Sequence, residues 1–139
     1  GVFQSSLRND LLIYNQGDIR TPKSTFAHNN YPPARMLHST VYANNTLYVI
    51  GGIGEGGNLL NDVYSFKVNY KTWDRENNLS TVGVEGICGH TAVAHFDNIL
   101  IFGGLVSKGV GYNQAQPPDY SNQLILLDTR KFACLLVFI

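Results

Sequence analysis

The sequence predicts an all-β protein built of repeated four-stranded antiparallel sheets. Three observations predict it. Glycine and asparagine each occur fourteen times in 139 residues, and both suit tight turns that need positive φ. Hydrophobic residues make up 44% and charged residues only 14%, against roughly 25% charged in an average soluble domain, so apolar surface is available for a core. The third observation is internal: "HSTVYANNTLYVIGG" (residues 38–52) aligns without a gap on "HTAVAHFDNILIFGG" (residues 90–104), 52 residues later. Self-similarity at such a period marks a repeat architecture.

Each copy reads as four strands in order. Residues 38–43 form the first, which Asn44-Asn45 turns into the second, residues 46–50, and Gly51-Gly52 ends it. Val63, Ser65 and Lys67 then alternate with Tyr64, Phe66 and Val68, the period of two expected of a third strand. A short fourth strand spans residues 71–76 and carries Trp73. "NDLLIY" (residues 9–14) lies 52 residues before "NDVYSF" (residues 61–66), so a partial copy comes first. "NQLILL" (residues 122–127) is the third strand of the later copy, displaced by a nine-residue insertion. Residues 1–34 are therefore expected to hold the last strands of one unit and a connecting loop. Residues 35–77 form a complete unit, and residues 78–139 form a second with a long insertion and an atypical last strand.

"GGIGEGG" (residues 51–57) contains Gly52, Gly54 and Gly57 at the G-x-G-x-x-G spacing of a dinucleotide-binding turn. That site needs a helix opening at the last glycine, with its N–H groups aimed at the phosphates. Here a strand follows, and the second copy keeps only Gly103-Gly104. The repeated pair thus has a structural task, allowing positive φ and close approach of a neighbour at a strand exit.

Four antiparallel strands per roughly 50 residues, with a glycine pair and a later aromatic, make the unit of a β-propeller blade. The chain resembles the kelch-repeat family through Pro33-Ala34-Arg35, His38, "LYVIGG" (residues 47–52), Asn61-Asp62-Val63-Tyr64 and Trp73. The resemblance implies a partial β-propeller of kelch-type blades, in which Tyr64 and Trp73 pack between neighbours. His38 and His90, Gly51 and Gly103, and Gly52 and Gly104 are then paired structural positions. About two and a half blades are present, whereas propellers close with roughly 4–8, so the chain is expected to be a fragment or to draw its remaining blades from a longer parent or a partner. Some positions depart from the pattern: Ile87 stands where the first copy has Arg35, and Cys134 and Thr21 stand where it has Trp73. The ending "ACLLVFI" is unlike "TWDRENN", which raises the expectation of a truncation or read-through after Ala133.

Ten basic and ten acidic residues cancel, which argues against nucleic acid or an anionic membrane as partner. No stretch approaches the roughly 18 apolar residues of a membrane helix. Cys88 and Cys134 form no C-x-x-C, and His28 and His95 have no spaced partner for a metal shell. No cofactor or metal is implied. The low charge leans towards an extracellular or cell-surface setting, with the cytoplasm left open. Short turns join strands one to two and three to four, so the long loops, residues 16–35, 52–60, 77–89 and 104–121, share one face. They present Tyr31, Arg35, Glu55, Tyr112, Gln114, Asp119 and Tyr120, and binding usually resides on such loops. The expected function is a non-catalytic scaffold gripping a protein or peptide. The alternative is part of a galactose-oxidase-like or other kelch-fold enzyme whose active site lies on other blades.

Overall fold

The computed structural model describes residues 7–20, 30–76, 78–107 and 118–137. β1 (Ile13–Asn15) and β2 (Asp18–Arg20) form a hairpin. Next come β3 (Arg35–Met36), β4 (Ser39–Ala43), β5 (Thr46–Ile50), β6 (Ile53–Gly54), β7 (Val63–Lys67) and β8 (Thr72–Arg75). The order then recurs as β9 (Gly86–Cys88), β10 (Thr91–His95), β11 (Asn98–Phe102) and β12 (Leu105–Ser107), followed by β13 (Asp119–Tyr120), β14 (Leu124–Asp128) and β15 (Ala133–Val137). Strands β4-β5-β7-β8 and β10-β11-β14-β15 make two four-stranded antiparallel meanders, as expected of kelch-type blades. The unusual tail is used as a strand, since β15 pairs with β14 from Asp128↔Ala133 to Leu124↔Val137.

Local chemistry explains the turns. Asn44 and Asn45 hold φ of 50° and 57°, the left-handed geometry that lets a two-residue hairpin follow the strand twist. Register follows the repeat: Phe66 faces Trp73, and its counterpart Leu127 faces Cys134. The N-terminal hairpin differs. It turns in two residues, Gln16-Gly17, so Ile19 faces Tyr14. Tyr14 is the counterpart of Phe66, so Ile19 rather than Thr21 holds the place of Trp73; Thr21 itself lies outside the described residues.

Alternation sends the two faces of each sheet to different neighbours. On the first sheet, Val41, Tyr48, Ile50 and Val63 point one way and join Ile99, Ile101, Ile125 and Leu127 of the second in one buried cluster. Leu47, Val49, Tyr64, Phe66 and Trp73 point the other way, where Leu11 and Tyr31 cover them. Trp73 packs on Phe66 with ring centroids 5.0 Å apart. The far face of the second sheet is open: the cross-strand row Val93–Leu100–Leu126–Leu135 has Val93 59% and Leu135 60% exposed.

The connections between strands build a second layer that the alternation pattern did not foreshadow. β3 pairs with β6, and β12 pairs with both β9 and β13. These short pieces fasten one sheet to the next. The Gly52 N–H donates to the Ile87 carbonyl at 2.8 Å, and the Ile87 N–H donates to the Leu60 carbonyl at 2.9 Å. One unit earlier, the Arg35 N–H donates to the Arg8 carbonyl at 3.3 Å. Gly52 has φ of 105°, and a Cβ there would lie 2.7 Å from the Met36 carbonyl oxygen. Its counterpart Gly104 has φ of 85° and would meet the Cys88 carbonyl oxygen at 2.5 Å. Gly54, outside the repeated pair, leaves a Cβ 3.4 Å from the Leu60 side chain.

Gly52→Val is therefore expected to destabilise by about 2–5 kcal/mol, from left-handed strain plus overpacking. Gly54→Ala should cost under about 1 kcal/mol, because its contact is ordinary van der Waals packing. Chemical denaturation of both variants measures the contrast, and equal sensitivity would contradict it.

Candidate functional site

Turns and loops segregate in the folded chain. On the turn side, the Asn44 side-chain amide donates to Asp97 Oδ1 at 2.9 Å, and the Val68 N–H donates to the Asn45 carbonyl at 3.0 Å. On the loop side, residues 52–60 fold back on themselves. The Leu60 N–H donates to the Gly52 carbonyl at 2.8 Å, and the Gly54 N–H donates to the Asn58 carbonyl at 3.0 Å. Between them Glu55–Gly57 makes a single 3-10 turn that leaves Glu55 exposed. Beside this turn lies a pocket of about 510 Å³, whose lining includes Asn9, Pro33, Ala34, Glu55, Asn58 and Leu60. No ion pair engages Glu55 among the described residues, while nearby Arg8 is paired with Asp10.

The other expected loop residues are dispersed. Asp119 and Tyr120 form β13, both exposed, and stand at the second unit's counterparts of Asn58 and Leu59. Tyr31 is half-buried against the Trp73 cluster. Tyr112 and Gln114 lie outside the described residues. Arg35 has left the surface, with its side chain only 3% exposed. Its Nη1 donates to Asp62 Oδ1 at 2.5 Å and to the Gly51 carbonyl at 2.9 Å, and its Nη2 donates to Asp62 Oδ2 at 3.2 Å. Its Nε donates to the Pro33 carbonyl at 3.0 Å, and the guanidinium carbon stands 5.3 Å from the Tyr64 ring centre. A guanidinium so committed braces the glycine corner. The second unit replaces the whole group at once, with Ile87, Gln123 and Ile125 at the places of Arg35, Asp62 and Tyr64.

The paired histidines also diverge. His90 is 7% exposed, and its Nε2 is 2.6 Å from Ser39 Oγ of the preceding sheet. Its Nδ1 has no hydrogen-bond partner among the described residues. Burial, reinforced by nearby His38, pushes the His90 pKa down to about 4. His38 remains solvent-accessible, with its pKa lowered by partial desolvation and by Arg35. Cys88 is a buried free thiol and Cys134 a half-buried one, and burial raises the pKa of both. Among the described residues no three His, Cys, Asp or Glu side chains are grouped to hold a metal ion. No helix among them is long and apolar enough to cross a membrane.

Two predictions follow from these buried groups. Asp62→Ala strands a buried guanidinium and should cost about 3–5 kcal/mol. The double substitution Arg35→Ile with Asp62→Gln copies two of the three replaced positions and should be less destabilising than Asp62→Ala alone, as read in urea denaturation. For His90, the unfolded chain takes a proton near pH 6.5 and the folded chain only near pH 4. Stability is therefore full above about pH 6.5 and falls towards pH 4, by on the order of 3 kcal/mol from this group. Measured against pH, the urea midpoint of His90→Gln should show a much shallower acid slope; an unchanged slope would assign the effect elsewhere.

Comparison with known proteins agrees with this architecture. The model of the KLHDC2/KLHL20/DRC7 Kelch-repeats domain matches residues 1–135. The chain is also 32% identical over 82 residues to N-acetylneuraminate epimerase of Salmonella arizonae, a stretch covering 55% of this chain and 20% of that protein. The chain thus spans a minor part of that curated relative. With a family match over nearly its whole length, and two antiparallel meanders clasped at repeated glycine corners, the protein belongs to the kelch-repeat family.

Proposed function

We propose that this chain is a non-catalytic interaction scaffold that binds a protein or peptide through its loop face. The pocket beside Glu55 carries the reading. It is walled by leucine, proline and alanine and carries the polar side chains of Asn9, Glu55 and Asn58, the composition by which proteins hold ligands. Asp119 and Tyr120 extend the same face over the next unit. The turn face offers short hairpins tied to one another instead.

A photo-crosslinking side chain tests the assignment. Tyr120 on the loop face is 91% exposed and Tyr70 on the turn face 75%, so a benzophenone amino acid at either position samples solvent equally well. Protein adducts should form from position 120 and not from position 70. Equal labelling would overturn the reading. The second reading is a contribution to a kelch-fold enzyme, favoured by the identity with N-acetylneuraminate epimerase. Change in the epimeric composition of N-acetylneuraminate, followed by NMR with the protein present, would support it instead.

A further inference from the structure

We propose that the pocket beside Glu55 is the seat of an arginine side chain from an extended segment of the partner protein; this rests on the loop-face reading above. The charge balance points there. Among the described residues, the arginines on the segments that build the pocket are already paired. Arg8 pairs with Asp10, and Arg35 pairs with Asp62 in the interior. Among the described lining residues Glu55 is the one ionic side chain, it has no ion-pair partner there, and its charge is negative. A carboxylate at a concave wall favours a cation, and guanidinium matches its two oxygens with two parallel N–H donors.

The remaining walls fit the rest of that side chain. Leu7, Leu60, Pro33 and Ala34 offer apolar surface to an aliphatic stem, which long basic side chains bury while the charged head finds polar company. Asn9 and Asn58 also line the pocket, and each amide supplies one acceptor and two donors. Their oxygens can accept guanidinium N–H groups that Glu55 does not reach, and their NH₂ groups can donate to the carbonyls of an extended backbone. A volume of about 510 Å³ lies within the range of roughly 300–1,000 Å³ of ligand pockets, so it admits a side chain with its adjoining peptide units. The rigid floor keeps the ordering cost of binding low: Pro33 has a fixed φ, and residues 52–60 are pinned by their own backbone bonds.

The probe is N-acetyl-arginine methylamide, titrated into isotope-labelled protein and followed through the backbone amides of residues 54–58. Its citrulline analogue, which keeps the shape and loses the charge, is the control. Saturable shifts confined to the pocket lining are expected for arginine. Binding should weaken by at least about tenfold for citrulline and for Glu55→Gln, the loss expected of a charge-assisted contact. The lysine analogue should fall between them. Glu55 is exposed on its turn, so Glu55→Gln leaves the fold intact. Equal binding of arginine and citrulline, indifference to Glu55→Gln, or no saturable shift in residues 54–58 would each overturn the proposal. Should the arginine preference fail while crosslinking from position 120 persists, the loop face remains the binding surface and only its arginine seat is lost. Should both fail, the loop-face reading falls with it.

Discussion

The fold depends on a backbone clasp at the exit of β5. Ile87 accepts from the Gly52 N–H and donates to the Leu60 carbonyl, so the connection leading into one sheet is hydrogen-bonded to the corner of the sheet before it. The approach is close enough that a Cβ on Gly51 would lie 2.6 Å from the Ile87 carbonyl oxygen. No side chain can be accommodated without moving the neighbouring sheet. Given that distance, the rest is arranged. β4 comes to lie beside β10, and the face carrying Tyr48, Ile50 and Val63 meets Ile99, Ile101, Ile125 and Leu127. Backbone groups that would otherwise be stranded at a buried corner are paired, which is a condition of burying them at all.

A clasp made of backbone atoms leaves the side chains around it free to differ. The first unit surrounds its corner with Arg35, Asp62 and Tyr64, a buried ion pair stacked on a ring. The second surrounds the equivalent corner with Ile87, Gln123 and Ile125. Exchange of a complete ionic group for uncharged side chains removes both charges together, whereas half an exchange leaves a naked charge. The Gly103 N–H still donates to the Gln123 carbonyl, as the Gly51 N–H does to Asp62, because neither bond uses a side chain. The motif's arginine is thus one way of filling a corner that geometry, not charge, defines.

Much of this was legible from the residues. The 52-residue offset located both meanders, and the Asn44-Asn45 turn and the alternation through residues 63–68 placed their strands and registers. Glycine pairs were readable because only glycine tolerates that φ beside an intruding carbonyl. Three features escaped, each for a physical reason. The two-residue turn at Gln16-Gly17 shifts pairing by an amount that periodicity cannot register, so Ile19 takes the place assigned to Thr21. Arg35 looks like a surface charge in one dimension, and only the approach of Asp62 from 27 residues away draws it inside. His38 and His90 occupy one repeat position yet differ in burial, because Ser39 of the preceding sheet covers His90 and no described residue holds that place beside His38. Of the loop residues, Glu55 was recognisable from its place in a turn; the amides of Asn9 and Asn58 were not, since the pocket joins segments some fifty residues apart.

Differences between the two sheets carry a further consequence for assembly. On the first sheet the row facing its successor runs Val41–Tyr48–Ser65–Asp74. Ser65 donates to Glu76 at 2.5 Å, and Asp74 pairs with Lys67 at 2.8 Å. The matching row on the second sheet is Val93–Leu100–Leu126–Leu135, apolar throughout. One backbone frame therefore presents two chemically distinct seams. Ser65 and Asp74 keep their partners within the first sheet, so that row meets the apolar face of its successor without leaving a polar group unpaired. Buried polar groups without partners are costly, and pairing inside the sheet avoids that cost at this seam. The repeat supplies the clasp that lets sheets stack, and the departures from the repeat set the chemistry that each sheet offers its neighbour.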